Sequence, residues 1–316
     1  MPRFLVTGGA GFVGSHLVEA LVARGESVRV VDDFSSGKRE NLPQSSSSLE
    51  IVEADIRDLD AVRAVVDGCE VIFHEAGRPS VSRSIQDPLT SHEVNATGTL
   101  NLLVAGQDAG VRRLVYAGSS SAYGGSELLP KSEAHRESPL SPYAVSKLAG
   151  EHYCRVAAHL GQIETVILRY FNIFGPRQDA SSPYSGVISL FATSLLRGEA
   201  PKILGDGDQT RDFTYIENVV SANLAAAERP VEPGVIINVG CGERTSINEL
   251  CRVLQEIIGQ EVEAEYGPAR AGDPRDSLAD ITRLLNVLGV EPKIQLEEGL
   301  RRTVAWYKEQ AALQLG

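Results

Sequence analysis

The amino-acid sequence predicts an α/β protein built on a Rossmann-type, doubly wound parallel sheet, followed by a smaller C-terminal α/β region. Three observations support this fold class. Apolar runs alternate with helix-like segments through the first half of the chain, a glycine-rich turn follows the first run, and an acidic residue ends the second. The apolar runs are almost continuous in Val, Ile and Leu, as expected for strands buried on both faces.

The predicted elements follow one another in a regular order. The strands of the first half are RFLVTG, SVRVVDD, LEIVEADI, CEVIFHEAG, RRLVYAGSSS and ETVILRYFNIFG, and the helices between them include FVGSHLVEALVARG, LDAVRAVVDG and HEVNATGTLNLLVAGQDAG. After residue 174 the strands, KILGDG and VIINVG, and the helices become shorter, and the amphipathic helix LEEGLRRTVAWYKEQAAL closes the region. We therefore expect two domains, residues 1–174 and 175–316, with some segments of the second returning to the first.

Length and composition limit the classes of protein to consider. The 316 residues suffice for one large domain or two coupled ones, and 42% hydrophobic and 23% charged residues are ordinary for a globular protein. We identify no signal peptide before the first strand, and no run approaches the roughly 18 apolar residues of a membrane helix. A formal net charge of −12 argues against nucleic acid or an anionic membrane as a partner.

The cysteines and histidines predict a cytoplasmic protein without a metal site. The six histidines have no H-x-x-x-H spacing, and no two cysteines form a C-x-x-C pair. Widely separated cysteines are expected to be buried free thiols in a reducing compartment; they are Cys69, Cys154, Cys241 and Cys251.

The turn after the first strand, VTGGAGFVGSH, contains three glycines with the spacing G-x-x-G-x-x-G. Missing side chains permit a tight turn and let a pyrophosphate approach the N-terminus of the following helix. A plain turn explains a glycine triplet equally well, but its position between a strand and a helix favours a dinucleotide site. The residues expected to contact the dinucleotide are Gly8, Gly11, Phe12, Val13 and Gly14.

Acidic residues at the ends of the next two strands indicate which dinucleotide binds. Asp32 ends the second strand, where a carboxylate accepts hydrogen bonds from the adenosine ribose and repels a 2′-phosphate. We therefore expect NAD and not NADP. Asp33 either shares this role or starts the next turn, and Asp55 and Ile56 end the third strand, where the adenine would lie.

The stretch SPYAVSK places a tyrosine and a lysine one helical turn apart. Ser141 is a good N-cap and Pro142 suits the first helical position, so Tyr143 and Lys147 share one face of the first turns. A nearby ammonium and the positive end of the helix dipole would favour the phenolate and make Tyr143 a base near neutral pH. The spacing is common, however, and also fits a packed tyrosine beside a solvated lysine.

Three serines follow the strand LVYAG at its carboxyl end. Ser119, Ser120 and Ser121 can offer hydroxyl groups to a substrate oxygen, or they can satisfy the hydrogen bonds of a turn.

The motifs TGGAGFVG, DIRD, SSSAYG, SPYAVSK and RYFNIFGPRQ together resemble the extended short-chain dehydrogenase/reductases, and more narrowly the NAD-dependent nucleotide-sugar 4-epimerases. The resemblance covers essentially the whole chain. It implies that NAD⁺ stays bound, that Tyr143 takes the proton of the sugar 4-hydroxyl while the C4 hydride passes to the nicotinamide, and that a 4-keto intermediate turns over before the hydride returns. Matching SSSAYG by its Tyr-Gly end makes Ser119 the catalytic hydroxyl, with Ser120 and Ser121 as helpers.

The remaining site residues are implied by the resemblance alone. Arg211 and Arg270 correspond to diphosphate contacts and Asp273 to a ribose contact, while the stretches with Val187 and Ile203 correspond to a uracil site. The other implied NAD contacts are Ser36, Gly37, Ala76, Gly77, Asn95 and Tyr170, with Tyr143 and Lys147, and the other implied sugar-phosphate contacts are Val81, Asn172 and Ser277. Pro79 stands where the family often has a lysine, so this position lacks the positive charge that such members carry.

Two positions bear on the reaction and the sugar. Dehydratases and decarboxylases of the family carry acidic residues after the catalytic hydroxyl, whereas Ser120 and Ser121 are uncharged, which favours an epimerase. Ser277 stands where a bulky tyrosine excludes 2-acetamido sugars in some members, so we expect UDP-N-acetylglucosamine to be accepted beside UDP-glucose.

Alternatives remain open from the sequence. A UDP-glucuronate 4-epimerase shares these motifs, and Arg83 or Arg177 would then hold the sugar carboxylate. A non-catalytic NAD-binding sensor or scaffold is the alternative of a different class, although such proteins usually lose the tyrosine or the lysine. The family also implies a homodimer formed through a helix bundle that includes the tyrosine helix.

Overall fold

The carboxyl edge of a parallel sheet organises this structure. A computed structural model of the chain describes residues 3–44, 46–180, 186–269 and 274–313. The strands in the described residues are, in chain order, β1 (Phe4–Thr7), β2 (Val28–Asp32), β3 (Leu49–Glu53), β4 (Val71–His74), β5 (Arg113–Ser119), β6 (Glu164–Tyr170), β7 (Ile173–Phe174), β8 (Lys202–Leu204), β9 (Thr210–Arg211), β10 (Thr214–Tyr215), β11 (Val235–Val239), β12 (Thr245–Ser246) and β13 (Glu265–Gly267).

Helices connect the strands and cover both faces of the main sheet. They are α1 (Phe12–Ala23), α2 (Leu59–Val66), α3 (Val81–Gln86), α4 (Pro88–His92), α5 (Gly98–Asp108), α6 (Pro142–His159), α7 (Val187–Leu196), α8 (Ile216–Glu228), α9 (Ile247–Ile258), α10 (Thr282–Asn286) and α11 (Leu296–Leu313). A π-helical stretch, Glu93–Thr97, joins α4 to α5, and a 3₁₀ turn, Ser120–Tyr123, follows β5. None of the described helices is both long enough and apolar enough to cross a membrane.

The main sheet has seven strands in the order β3-β2-β1-β4-β5-β6-β11, and every neighbouring pair is parallel. The strand order reverses between β1 and β4, where open α/β sheets form a ligand crevice. Apolar side chains fill both faces: Phe4 and Val6 of β1 belong to one core, and Leu5, between them, belongs to the other. The predicted Rossmann-type fold class is confirmed.

One strand lies elsewhere than the sequence suggests. The segment VIINVG, expected in the C-terminal region, forms β11 at the edge of the main sheet, with Val235 opposite Val166 and Val239 opposite Tyr170. Helix α8, just before it, contacts β5 and β6. Pairing with a strand some 70 residues away leaves no signal in the local sequence pattern. The domain boundary at residue 174 stays a prediction, and residues on both sides of it contribute strands to the main sheet.

Helix α6 begins as the sequence predicts and is fixed to the sheet by a buried ion pair. The hydroxyl of Ser141 accepts a hydrogen bond from the Ala144 amide at 3.2 Å, and Pro142 is the first helical residue. Further along the helix, Glu151 accepts two hydrogen bonds from Arg169 of β6, at 2.6 and 2.9 Å. Their side chains are 2% and 0% exposed, so both charges depend on each other for solvation.

We expect Arg169→Met to lower the free energy of unfolding by about 3–5 kcal/mol, because it leaves the buried Glu151 carboxylate without its main partner. Urea unfolding followed by circular dichroism measures this. Arg252→Met is the matched control, since Arg252 pairs with Glu256 on the surface, where side chains are 61% and 63% exposed, and such pairs contribute about 0–1 kcal/mol. Equal losses in the two variants would contradict the assigned role of the buried pair.

Candidate active site

A cleft of about 730 Å³ lies at the carboxyl edge of the main sheet, where the strand order reverses. The structure brings most of the predicted site residues to its walls: Gly8, Gly11, Phe12, Val13, Gly14, Asp32, Asp33, Ser36, Asp55, Ile56, Ala76, Gly77, Val81, Asn95, Ser119, Ser120, Ser121, Tyr143, Lys147, Tyr170, Asn172, Arg211 and Ser277. Residues from strands far apart in sequence therefore share one cavity.

Three predicted residues that the structure describes do not line this cleft. Gly37 packs against Asp32 behind the wall, where an added Cβ would lie 2.8 Å from the carboxylate. Val187 starts α7 and packs on the core, and Ile203 is 1% exposed within it. Their expected ligand contacts stay predictions. Arg270 and Asp273 lie outside the described residues.

The glycine turn brings the backbone close to the neighbouring strand. Gly8 has φ +65°, and a Cβ on it would lie 2.7 Å from the backbone of Ala76, so only glycine fits. Helix α1 starts directly after this turn with Gly11 as its N-cap, and no side chain caps the first-turn amides. Uncapped amides at a helix N-terminus suit a pyrophosphate.

Asp32 supplies the acceptor that a ribose hydroxyl needs. Its carboxylate is fixed by the amides of Ala10 and Phe34, each at 2.9 Å, and the residue is 7% exposed. Burial raises the pKa of Asp32, while the two amide hydrogen bonds oppose that rise. Asp33 is exposed and accepts hydrogen bonds from Ser35, as a turn residue does. The acceptor at the end of β2 and the open amides of α1 fit NAD.

The end of the cleft beside β3 contains an ion pair that the sequence did not single out. Arg57 lines the cleft and contacts Asp55 through Nη2 at 2.5 Å, and it also reaches Glu93 at 3.2 Å. The guanidinium lowers the pKa of Asp55. The sequence signal available was the DIRD spacing, in which an i, i+2 pair follows the strand.

Asn95 is positioned by an irregular helix. It lies in the π-helical stretch between α4 and α5, is 1% exposed, and accepts the Arg78 amide at 2.8 Å. Its amide group donates to Ser146 Oγ of α6 at 3.0 Å. Gly77 passes close by, since a Cβ there would lie 3.2 Å from Asn95 Oδ1 and 3.6 Å from Lys147 Nζ. The π turn therefore connects the cleft wall to α6.

Lys147 is held inside the protein and not in solvent. It is 7% exposed, its Nζ lies 4.6 Å from the ring centroid of Tyr116, and the Tyr116 hydroxyl donates to the Lys147 carbonyl at 2.9 Å. Burial lowers the pKa of Lys147 to about 8, and the charge of Glu75 opposes that fall. The alternative of a solvated surface lysine is therefore wrong.

The prediction that the pKa of Tyr143 is lowered is also wrong for the ligand-free protein. Burial raises the pKa of Tyr143, and a hydrogen bond with Ser119 only partly opposes that rise. The sequence suggested that Lys147 would make this side chain a phenolate near neutral pH, but it could not show how deeply the ring is buried.

The serines differ in their contacts. Ser119 ends β5, and its hydroxyl oxygen accepts the Ser121 amide at 3.2 Å and the Ser121 hydroxyl at 2.8 Å. Ser121 therefore orients Ser119, and Ser119 is the serine whose interaction with Tyr143 opposes the rise of the tyrosine pKa. The expected roles of catalytic hydroxyl and helper stay predictions.

A hydrogen-bonded chain around Glu75 was missed by sequence reasoning. Glu75 follows β4 and lines the cleft, and its Oε1 accepts a hydrogen bond from the Tyr170 hydroxyl at 2.8 Å. Asn223 of α8 donates to the same hydroxyl oxygen at 2.8 Å. Burial raises the pKa of Glu75 to about 7, although Tyr170 and Lys147 act in the opposite direction. A single glutamate inside an apolar run was the available signal.

The far end of the cleft is organised by Asp212. Its carboxylate accepts the amides of Cys241, Gly242 and Ala279 at 2.8 to 3.0 Å, and burial raises its pKa to about 6. Its carbonyl accepts a hydrogen bond from Asn172, whose φ of +24° is strained for a residue other than glycine. Asp212 thus holds together the segments that carry Arg211, Asn172 and Ser277.

The fold and this cleft define an extended short-chain dehydrogenase/reductase, with tyrosine, lysine and serine beside a dinucleotide cradle. The profile of the NAD dependent epimerase/dehydratase family matches residues 4–240. The chain belongs to that family, and its cofactor is NAD.

Curated relatives match the chain over nearly its full length. A UDP-glucose 4-epimerase from Mycolicibacterium smegmatis is 41% identical, covering 98% of this chain and 99% of that protein. A putative UDP-glucose 4-epimerase from Methanocaldococcus jannaschii is 40% identical, covering 96% and 98%. A UDP-glucuronate 4-epimerase from Thermodesulfobacterium geofontis is 34% identical, covering 99% and 98%.

Solved structures of epimerases are also similar to this chain over nearly its full length. The UDP-glucose 4-epimerase of Thermotoga maritima with UDP-glucose superposes with a TM-score of 0.93 at 38% identity, covering 98% of this chain and 99% of that one. A UDP-N-acetylglucosamine 4-epimerase from Methanobrevibacter ruminantium, in complex with UDP-N-acetylmuramic acid, also gives 0.93, at 36% identity and 98% and 99% coverage. The UDP-glucose 4-epimerase of Thermus thermophilus with NAD gives 0.89, at 37% identity and 97% and 99% coverage.

Glu75→Gln should change how stability depends on pH. Because the folded pKa of Glu75 is raised from 4.5 to about 7, the folded wild type binds more protons than the unfolded chain between these values. Its free energy of unfolding therefore falls as the pH rises through this window, and the variant avoids that fall. We expect the free energy of unfolding of Glu75→Gln, relative to that of the wild type, to rise by roughly 1–3 kcal/mol between pH 4.5 and 7.5 and then to level off.

Urea unfolding of the NAD-free protein at pH values from 4.5 to 8.5 measures the difference in free energy of unfolding between Glu75→Gln and the wild type. Glu256→Gln removes a carboxylate that is 63% exposed on the surface and serves as the control. A difference in free energy of unfolding between Glu75→Gln and the wild type that does not vary with pH would contradict the raised pKa of Glu75.

Proposed function

We propose that this protein is a UDP-hexose 4-epimerase that interconverts UDP-glucose with UDP-galactose and UDP-N-acetylglucosamine with UDP-N-acetylgalactosamine. The observation that carries the proposal is the meeting of Tyr143, Ser119 and Lys147 in the cleft that also contains the dinucleotide cradle. The epimerases among its relatives and structural neighbours support it. A sensor or scaffold would have no need for all three groups together.

The chain's own residues account for proton transfer and orientation. Bound NAD⁺ supplies the acceptor and donor of the C4 hydride. Tyr143 takes the proton of the 4-hydroxyl and returns it to the same oxygen, so no net proton is consumed over a turnover. Ser119 interacts with Tyr143 and would offer a second hydroxyl donor to the sugar oxygen, and Ser121 orients Ser119 through a hydrogen bond at 2.8 Å.

The polarity of the wall favours epimerisation over elimination. Ser120 and Ser121 line the cleft next to Ser119, and an uncharged pair of hydroxyl groups at these positions cannot easily supply the acid and base that expulsion of water requires. The 4-keto sugar is then only reduced again.

The nucleotide end supports the choice of sugars. Ser277 lines the cleft and is held by a hydrogen bond from its amide to the Thr210 carbonyl at 3.1 Å. Its small side chain leaves room for a 2-acetamido group, and Arg211 in the adjoining wall can bind the diphosphate.

A UDP-glucuronate 4-epimerase is the second candidate, because Arg83 also lines the cleft and can pair with a carboxylate. Arg177, the other arginine considered, instead contacts Glu19 of α1 at 2.7 Å and does not line the cleft.

Tyr143→Phe should keep NAD and still bind UDP-sugar, but turn over roughly 10²–10⁴-fold more slowly, the usual contribution of a positioned acid or base. The assay follows product formation from UDP-glucose and from UDP-N-acetylglucosamine by chromatography. Tyr266→Phe, at a tyrosine that is 60% exposed and does not line the cleft, is the control. A near-normal rate for Tyr143→Phe would exclude Tyr143 as the base. A wild type without activity on the UDP-N-acetylhexosamine pair would contradict the proposal that this pair is a substrate.

We also propose a cytoplasmic homodimer formed through α5 and α6. Exposed apolar side chains follow helical spacing on the outer faces of these packed helices: Leu100, Val104, Val145, Tyr153, Val156 and Leu160. A second copy of the same stripe would bury them.

Light scattering should give twice the mass of 33.9 kDa for the wild type, and Val156→Asp should give a monomer. Leu128→Asp is the control and should stay dimeric, because Leu128 is 63% exposed but lies outside the stripe. A monomeric wild type would contradict the proposal.

A further inference from the structure

Lys131 is a cation in the cleft wall that the proposed reaction does not use. It is 2% exposed, and it lines the cleft near Tyr123, Gly124 and Ser277. Its Nζ donates one hydrogen bond to the Ser126 carbonyl, and the described residues offer it no other polar partner. An ammonium has three donors, and burying unused donors is unfavourable unless a ligand supplies acceptors.

Backbone pairing places Lys131 beside the segment that contains Ser277. Its amide donates to the Leu278 carbonyl at 2.7 Å, its carbonyl accepts the Asp280 amide at 2.9 Å, and it forms an isolated parallel bridge with Ala279. Ser277 lies two residues before Ala279, and Lys131 and Ser277 both line the cleft.

Two carboxylates act on Lys131 through space, and neither forms an ion pair with it among the described residues. Burial lowers the pKa of Lys131, while Asp276 and Glu127 act against that fall through space. Asp276 is already engaged, because its Oδ1 accepts the Thr210 hydroxyl at 2.6 Å and the Thr210 amide at 3.2 Å.

We propose that Lys131 is a specificity residue whose ammonium donates a hydrogen bond to the carbonyl oxygen of a 2-acetamido group on the UDP-sugar. The proposal rests on the proposed function, in which Ser277 faces the C2 substituent. Ser277 then provides the volume, and Lys131, in the neighbouring segment of the cleft wall, provides the donor. A C5 carboxylate is the other acceptor that a cation could hold, but C5 lies across the pyranose ring from C2.

The test compares dissociation constants of NAD-loaded wild type and Lys131→Met by calorimetry, for UDP, UDP-glucose, UDP-N-acetylglucosamine and UDP-glucuronate. We expect Lys131→Met to weaken UDP-N-acetylglucosamine about 10- to 100-fold, as for a lost hydrogen bond to a charged group, and to change UDP and UDP-glucose less than about 3-fold. Lys202→Met, at a side chain 78% exposed, should change none of them.

Three outcomes would overturn the role of Lys131. Equal weakening of both hexoses, or weakening of UDP itself, would indicate that the lysine only holds the loop at Ser126. No change for any ligand would exclude contact, and selective loss of UDP-glucuronate would assign the cation to a C5 carboxylate. A wild type that binds these sugars but turns over neither hexose pair would contradict the proposed function, while the ratio of dissociation constants would still decide the role of Lys131.

Discussion

The attachment of α6 to the sheet through Glu151 and Arg169 is the interaction on which the cleft geometry depends. Tyr143, Lys147 and Glu151 are spaced four residues apart on one helical face, so fixing the third fixes the direction of the first two. Arg169 directly precedes Tyr170 in β6, and Tyr170 contacts Glu75 across the cleft wall. One buried pair therefore connects the helix that supplies the tyrosine and lysine with two strands of the sheet.

Burial determines the electrostatic character of the site more than neighbouring charge does. The pKa of Tyr143 is raised and that of Lys147 is lowered, both chiefly by desolvation, so the protein alone disfavours a phenolate beside an ammonium. The ligand-free site therefore keeps the Tyr143 phenol protonated at neutral pH. In the proposed reaction, the ligands that enter the cleft would have to shift this balance before Tyr143 could act as a base.

The fold and most of the cleft could be predicted because their signals are local. Strand-like apolar runs, the glycine turn and the Ser-Pro cap of α6 are each contained within about ten residues. The position of β11 depends on pairing with a strand far away in the chain, and the titration of Tyr143 depends on burial by several elements. Glu75, Arg57 and Lys131 are charged residues that resemble surface residues in a sequence, and only the folded chain places them in the cleft wall.

The π turn between α4 and α5 has a consequence for how this family member can vary in length. A π-helical turn holds one residue more than an α-helical turn, and each helical residue accounts for about 100° of rotation. Deleting a single residue from Glu93–Thr97 would restore a regular helix, but it would swing the Asn95 side chain away from Arg78 and Ser146. This segment should therefore tolerate exchange of exposed side chains far better than any change in residue number.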